Sequence, residues 1–376
     1  MLAKPSQSGY SLTLELLPEF GWSIRGEPTY GPGSVFQGFV KISSQQRQIV
    51  DADSIQLRFQ GVESVHPIEI SPGVLRGRRH QSLFAVKHVL WKGQCLDPSS
   101  GETSVALPFT IQMPVVQYPP SIDEHEYYQC TFKLIAIVEK AGRTLQSIEK
   151  KISYRPFIET CVLKRPIDAF SGQIKLHGLE YVPGDMITAT IKRSDVRHRS
   201  TSTSSSSSAS SSTSSIKRII TAKLYQISML HAVDDVPKLA KVIVSKSWDE
   251  DRDADQDAFD ESYKLDLLHI PSDIIPSYSY SSIMTVSYQL KVWFKQKKLG
   301  GLWTTTGQAI EFPLTIGTLG YGVRAPTQLQ IYSTMVQQQE DQSEQIPRFM
   351  RAVEYSDSLP AYEGTRLPTY HDTISS

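Results

Sequence analysis

Two stretches of this chain, 151 residues apart, carry the same pattern. YGPGSVFQGFVKI at 30–42 and YVPGDMITATIKR at 181–193 share Tyr, Pro and Gly at matching places, and alternating apolar residues follow in both. Proline presets φ at the second position of a turn and glycine accepts a positive φ at the third, so each motif predicts a tight turn that leads into a strand. A repeat of this kind predicts two related units within the 376 residues.

Further matches extend the repeat. Pro120-Ser121 and Pro276-Ser277 are each followed, eleven residues on, by an aromatic residue and a leucine, at an offset of 156. Phe59-Gln60 matches Tyr225-Gln226 at an offset of 166. Along the chain the offset thus rises from 151 to 166 and then falls to 156. A Ser/Thr-rich run at 200–215 in the second copy explains the rise, and a long loop at 66–104 in the first copy explains the fall. We therefore predict domains over residues 1–158 and 159–325.

The hydrophobic pattern has the period of β-strands. In IMTVSYQLKVWF (283–294) and YQCTFKLIAIV (128–138), apolar residues occupy one parity, and Ile55, Leu57 and Phe59 give a shorter example. Helical stripes with caps are hard to find, while 22 Gly and 22 Pro separate short alternating segments. The pattern predicts an all-β protein of antiparallel sheets packed face to face.

Composition narrows the function classes. The 39 basic residues balance 39 acidic ones, which argues against nucleic acid as a partner. Three widely spaced cysteines favour a reducing compartment over a disulfide framework or a zinc site. No apolar segment approaches the ~20 residues that span a bilayer. We expect a cytoplasmic protein, at most peripherally bound at the plasma membrane or endosomes.

The repeated segments resemble a known family. YGPGSVFQGFVKI, SIQLRFQG and LPFTIQMPVVQYPPSI are similar to the N-terminal domain of arrestin-fold proteins, and SGQIKLHGLEYVPGDMITATI with IPSYSYSSIMTVSYQLKVWF resembles the arrestin C-terminal domain. With LPAYEGTRLPTY at 359–370, in which Leu-Pro-x-Tyr occurs twice, the chain resembles the α-arrestins, adaptors that carry HECT-type ubiquitin ligases to membrane proteins. The resemblance implies two tandem arrestin-like antiparallel β-sandwiches.

The segment 326–376 is predicted to be a disordered tail with two Leu-Pro-x-Tyr motifs. VQQQEDQSEQIP, from position 336, is polar and lacks periodicity, so it cannot bury enough apolar area to offset chain entropy. Extended Pro-x-Tyr strips are ligands of WW domains. The candidate WW-binding residues are Leu359, Pro360, Tyr362, Leu367, Pro368 and Tyr370.

The motif is not rare, which leaves an alternative open. Pro-x-Tyr also occurs at Pro28-Thr29-Tyr30 and Pro276-Ser277-Tyr278, beside predicted core strands, where a structural role is expected. The tail pair differs in its leading leucines and in its doubling. Two tyrosines eight positions apart span at most ~26 Å, which suits two WW domains of one ligase. The alternative is a tail without a binding role.

Two polar segments of the second domain are predicted to be loops. The Ser-rich loop at about 198–216 is a candidate for regulatory phosphorylation, although an inert insertion explains its composition equally well. Its candidate sites are Ser204, Ser205, Ser206, Ser207 and Ser208. The acidic loop at about 249–261 lacks the glycine and the final glutamate of an EF-hand, so we predict no metal site.

No catalytic motif stands out, so we predict a protein that is not an enzyme and needs no cofactor. The resemblance implies an adaptor that links cytoplasmic segments of membrane transporters or receptors to a WW-domain HECT-type ubiquitin ligase, promoting ubiquitination and endocytic sorting. Ubiquitin is itself a candidate modifier of an unidentified lysine. The alternative is a sorting scaffold that resembles the arrestin-fold subunit of retromer and acts without a ligase.

Overall fold

The computed structural model is built from strands, and no described stretch forms an extended α-helix. It describes residues 10–17, 22–24, 27–44, 52–66, 68–71, 74–76, 79–93, 104–160 apart from 124 and 126, 167–169, 174–192, 218–231, 238–250, 262–297, 303–305, 309–332 and 348–350. Within this part of the chain, no helix has the length and apolarity to cross a membrane.

The first unit is a sandwich of two sheets. One sheet has the order β1-β4-β9-β24, with β1 at Tyr10–Leu16, β4 at Val35–Ser44, β9 at Ser104–Gln112 and β24 at Arg348–Met350. The other has the order β2-β3-β12-β11-β5-β8, with β2 at Trp22–Ile24, β3 at Glu27–Tyr30, β12 at Arg143–Tyr154, β11 at Tyr128–Lys140, β5 at Ser54–Val65 and β8 at Arg79–Lys92. A short hairpin joins β6 (Ile68–Ser71) to β7 (Val74–Arg76).

The second unit repeats this architecture. One sheet has the order β13-β14-β16-β19, with β13 at Ile167–Ala169, β14 at Ile174–Leu176, β16 at Met186–Lys192 and β19 at Ser262–His269. The other has the order β15-β22-β20-β17-β18, and β21 also pairs with β20. Its strands are β15 at Glu180–Tyr181, β17 at Arg218–Leu230, β18 at Leu239–Glu250, β20 at Met284–Lys297, β21 at Trp303–Thr305 and β22 at Ile310–Ile316. The all-β fold of tandem sandwiches is thus confirmed.

Alternation explains why these segments are strands. Every second side chain of β20 from Met284 to Phe294 is buried, and the same holds for β11 from Tyr128 to Val138. Ile55, Leu57 and Phe59 are fully buried. Aromatic rings join the two sheets of the first unit, since Phe36 on β4 meets Phe59 on β5 edge to face at 5.5 Å. The strands predicted from periodicity are confirmed at these positions.

The internal repeat has a structural counterpart at each anchor. Gly33 and Gly184 both have positive φ, 75° and 90°, as the Pro-Gly turns require. The isolated bridge Ile122↔Cys130 of the first unit corresponds to Tyr278↔Val286 in the second. The two glycines are 151 positions apart and the two bridges are 156 positions apart, the same offsets as in the sequence matches.

One sequence match is displaced by a residue. Phe59 lies opposite Leu134, and Leu224 lies opposite Leu290, so Phe59 corresponds to Leu224 and not to Tyr225. A one-residue slip reverses the direction of every side chain. Tyr225 therefore lies on the outer face of its sheet, where its ring contacts Trp293.

The prediction of a loop at 66–104 is wrong for much of that range. It contains β8, which pairs with β5 along its whole length and forms the edge of the sheet. Side chains of an edge strand are only partly buried, and two register shifts interrupt this ladder, so the sequence alternation is weak there.

Two stretches of the segment predicted as a disordered tail are also strands. β23 (Gln330–Ile331) pairs in parallel with β10 (Val116–Gln117), and β24 pairs antiparallel with β9. The prediction of a structureless segment from 326 is therefore wrong at these strands. Their apolar residues are few, but the edge of an existing sheet supplies backbone partners that a short strand lacks in isolation.

Candidate functional site

The residues predicted to bind WW domains lie outside the described part of the chain. This applies to Leu359, Pro360, Tyr362, Leu367, Pro368 and Tyr370. The candidate phosphorylation sites Ser204–Ser208 also lie outside the described residues, as does the acidic segment after Glu250, while Asp249 and Glu250 end β18.

The two other Pro-x-Tyr sequences are part of the core. Tyr30 is 1% exposed and Tyr278 is 4% exposed. Tyr30 belongs to β3, and the backbone of Tyr278 bonds in both directions with Val286. A WW domain needs access to the tyrosine ring, so the structural role expected for these two sequences fits their burial.

A buried carboxyl group lies where the two units meet. Glu63 is fully buried on β5 of the first unit. It shares the parity of Ile55, Leu57 and Phe59, so it faces inward at a position that the pattern reserves for apolar residues. Burial of a carboxyl group lowers the stability of a protein unless hydrogen-bond partners are buried with it.

Three hydroxyl groups from three parts of the chain donate to Glu63. Tyr128 of β11 and Ser281 of the second unit bond Oε1 at 2.5 Å and 2.6 Å. Tyr332, which follows β23, bonds Oε2 at 2.8 Å. Both carboxyl oxygens therefore accept hydrogen bonds from hydroxyl groups. We call Glu63, Tyr128, Ser281 and Tyr332 the junction.

The junction is surrounded by further tyrosines. Tyr280 Oη donates to the carbonyl of Tyr118 at 3.0 Å, a bond between the second unit and the first. Burial raises the pKa of Tyr128, Tyr278 and Tyr280 well above the ordinary value, and Tyr332 shifts in the same direction. These hydroxyls therefore remain protonated at physiological pH and stay available as donors.

Ser281 links the junction to the start of β20. Its Oγ accepts hydrogen bonds from the backbone N–H groups of Ile283 and Met284, at 3.1 Å and 3.2 Å, while it donates to Glu63. The same hydroxyl thus organises the turn before β20 and ties that turn to the first unit.

The connecting residues 155–160 add polar contacts between the units. Arg155 donates to the carbonyls of Ser272 and Ile274 at 3.4 Å and 3.5 Å. Thr318 Oγ1 of the second unit donates to the carbonyl of Pro156 at 2.6 Å. Desolvation lowers the pKa of Arg155, but a guanidinium remains charged in proteins. These contacts and the junction hold the units against each other.

The chemistry of the junction is that of a structural tie. Cys130, which lies beside it, is fully buried, and burial raises its pKa well above the ordinary value, which leaves the thiol unreactive. Among the described residues, no three His, Cys, Asp or Glu side chains are placed to hold a metal ion. The junction can fix the relative orientation of the units and can respond to anything that removes one of its hydroxyls.

The second unit coincides with a known domain family. Residues 169–321 match the family described as arrestin (or S-antigen), C-terminal domain. The match supports membership of the arrestin family. It also supports an adaptor or scaffold role in general, because arrestin-family proteins are generally non-enzymatic adaptors. No curated protein matches the chain significantly.

Sequence reasoning missed the junction, although one signal was present. A glutamate on the buried parity of β5 predicts a polar partner network. The identity of the partners was not readable, since Ser281 and Tyr332 are 218 and 269 residues away along the chain.

Proposed function

We propose that this protein is an adaptor between membrane-protein cargo and a WW-domain HECT-type ubiquitin ligase. The arrestin-like units recognise cytoplasmic segments of transporters or receptors, and the tail recruits the ligase. The match to the arrestin C-terminal domain supports the adaptor role, and the two Leu-Pro-x-Tyr motifs support the choice of ligase. The adaptor acts from the cytoplasm, at the plasma membrane or at endosomes.

The doubled motif carries the proposal. Leu359 comes nine residues after Met350, the end of β24, which is docked on β9. A chain of this length spans at most about 30 Å, so a WW domain on the first motif is kept near the first unit. Two motifs engaged by one ligase raise avidity by about 10²–10⁴ over one motif.

The adaptor works by proximity and performs no bond chemistry of its own. Holding the ligase beside the cargo raises its effective concentration near cargo lysines, which promotes ubiquitination and endocytic sorting. A ligase held in this way also reaches lysines of the adaptor, so modification of the adaptor by ubiquitin belongs to the proposal.

Calorimetric titration of the full chain with the tandem WW domains of a HECT-type ligase tests the proposal. We expect micromolar binding that weakens with Tyr362→Ala or Tyr370→Ala and disappears when both are changed. Tyr355→Ala, a tail tyrosine outside both motifs, is the matched control and should bind normally. Binding that is indifferent to Tyr362 and Tyr370 would favour the scaffold without a ligase.

The Ser-rich run adds a regulatory proposal. Phosphorylation of Ser204–Ser208 would place negative charge between basic residues such as Arg199 and Lys217. Replacement of the five serines by alanine should then alter cargo traffic under stimulation. Unchanged traffic under every stimulus would identify an inert insertion.

A further inference from the structure

The stretch 326–332 returns from the second unit to the first with few backbone contacts. Gln330 N–H donates to the carbonyl of Val115 at 3.0 Å, and only Gln330 and Ile331 form the ladder with β10. Ile331 is 37% exposed, whereas Tyr332 is 3% exposed. The burial of this stretch is therefore concentrated in the side chain of Tyr332.

The hydroxyl of Tyr332 touches both units at once. It donates to Glu63 Oε2 of the first unit at 2.8 Å and accepts a hydrogen bond from Ser282 N–H of the second unit at 3.4 Å. Its ring lies 6.0 Å from that of Tyr118. The buried side chain of Tyr332 thus completes the junction by bonding to both units.

A short stretch of this kind opens locally more often than the sheets do. Two ladder residues and one side chain offer far fewer interactions than a strand such as β5, and regions with few buried contacts lie at the low end of the local stability range. Opening exposes the Tyr332 hydroxyl together with the backbone of Gln330 and Ile331, which is extended where it pairs with β10.

We propose that Tyr332 is a phosphorylation site and that its modification holds the junction open. An ATP-dependent tyrosine kinase acts on the detached stretch. The Tyr332 oxygen forms a bond to the γ-phosphorus of ATP, the bond from that phosphorus to the β–γ bridging oxygen breaks to release ADP, and the hydroxyl proton passes to a base of the kinase.

The modified side chain no longer fits the junction. Phosphotyrosine has lost the hydrogen that Tyr332 donates to Glu63. It also carries a charge of about −1.5 to −2, which is strongly destabilising when it is buried without a cationic partner. The phosphate would therefore keep Tyr332 out of its buried site until a phosphatase removes it. Ser281, which belongs to the junction, and Ser282, whose N–H donates to the Tyr332 hydroxyl, would lose order with it.

The experiment treats the full chain with ATP and a broad-specificity tyrosine kinase domain, and locates the phosphate by mass spectrometry. Hydrogen exchange is then measured over 278–286 and 326–332 before modification, after it and after phosphatase treatment. We expect exchange in both stretches to rise about tenfold with phosphate on Tyr332 and to return to its starting rate when the phosphate is removed.

Two variants sharpen the result. Glu63→Gln weakens the contact that holds the Tyr332 hydroxyl and should speed modification of Tyr332 several-fold. Tyr332→Phe should abolish the change in hydrogen exchange. Tyr321→Phe is the matched control, because Tyr321 is 38% exposed and lies on the same part of the chain. It should leave the response intact.

Two outcomes would overturn the proposal. One is phosphate on Tyr332 with unchanged exchange over 278–286. The other is failure of Tyr332 to be modified in both the wild type and Glu63→Gln. If Glu63→Gln does not fold, the wild type decides alone, by modification of Tyr332 and reversal of the exchange change by phosphatase. None of these readouts depends on a ubiquitin ligase.

Discussion

Ser281 Oγ donates a hydrogen bond of 2.6 Å to Glu63 Oε1, although the two residues are 218 positions apart. Glu63 belongs to β5 in the interior of one sheet, and Ser281 precedes β20 in the interior of another. Backbone amides of Ile283 and Met284 bond to the same serine hydroxyl. One buried carboxyl group therefore links the central sheets of the two units.

Replacement of the Glu63 carboxyl group by an amide should destabilise the protein. In Glu63→Gln, one acceptor oxygen becomes an amide donor that faces hydroxyl donors, so at least one hydrogen bond is lost. We expect the free energy of unfolding to fall by about 1–3 kcal/mol. Denaturant unfolding measures this. Glu149→Gln, on an exposed ion pair with Lys133, is the control and should cost less than about 0.5 kcal/mol. Equal effects of the two variants would refute the role of the junction.

Gly61 is required for the packing of two phenylalanines. A Cβ at this position would lie 2.8 Å from Phe84 Cε1 and 3.1 Å from Phe132 Cε1. Gly61→Ala should therefore lower the free energy of unfolding by about 1–3 kcal/mol through overpacking. Gly320→Ala, where nothing lies within 4 Å, is the matched control. A neutral Gly61→Ala would mean that the rings move aside without cost.

The docking of β24 should depend on Phe349 more than on its neighbour. Phe349 is half-buried and stacks on His88 at 5.4 Å, whereas Met350 is 38% exposed. Phe349→Ala should speed hydrogen exchange of Arg348–Met350 about tenfold while leaving the sheet beneath protected. Met350→Ala should change exchange little. Similar exchange in both variants would contradict the contact with His88.

His177 should make stability depend on pH. Desolvation, followed by the charges of Lys264 and Lys175, lowers its pKa below the ordinary value of 6.5. The unfolded chain therefore binds this proton more readily than the folded protein, so this contribution to stability is lost as pH falls below about 6.5. An NMR titration should place the pKa below 6.5, and His177→Gln should flatten the loss on acidification. A pKa at or above 6.5 would contradict the prediction.

The sequence predicted the strands best where one face is buried completely. β20 alternates from Met284 to Phe294 and β11 from Tyr128 to Ala136, and the Pro-Gly turns at Gly33 and Gly184 were predictable from their residues alone. β8 was missed because an edge strand buries its side chains only partly. β24 was missed because three residues carry no period, and their order comes from the edge of β9.

The candidate site residues also differ in how far the sequence predicts them. Glu63 is a charged residue on an apolar parity, a signal that was missed, and its partners are set by tertiary contacts that no local pattern encodes. The Leu-Pro-x-Tyr motifs differ from Glu63 in this respect. Their binding chemistry was predicted from the sequence alone, and they lie outside the described residues.

Ubiquitination of the full chain tests the adaptor account most directly. The protein is incubated with a WW-domain HECT-type ligase, its activating and conjugating enzymes, ubiquitin and ATP, and the rate of modification is compared with that of the Tyr362→Ala/Tyr370→Ala variant. The account predicts a rate at least about tenfold lower in the variant, because avidity from both motifs is lost. Tyr355→Ala should match the wild type. Equal rates in the wild type and the double variant would contradict ligase recruitment by the tail.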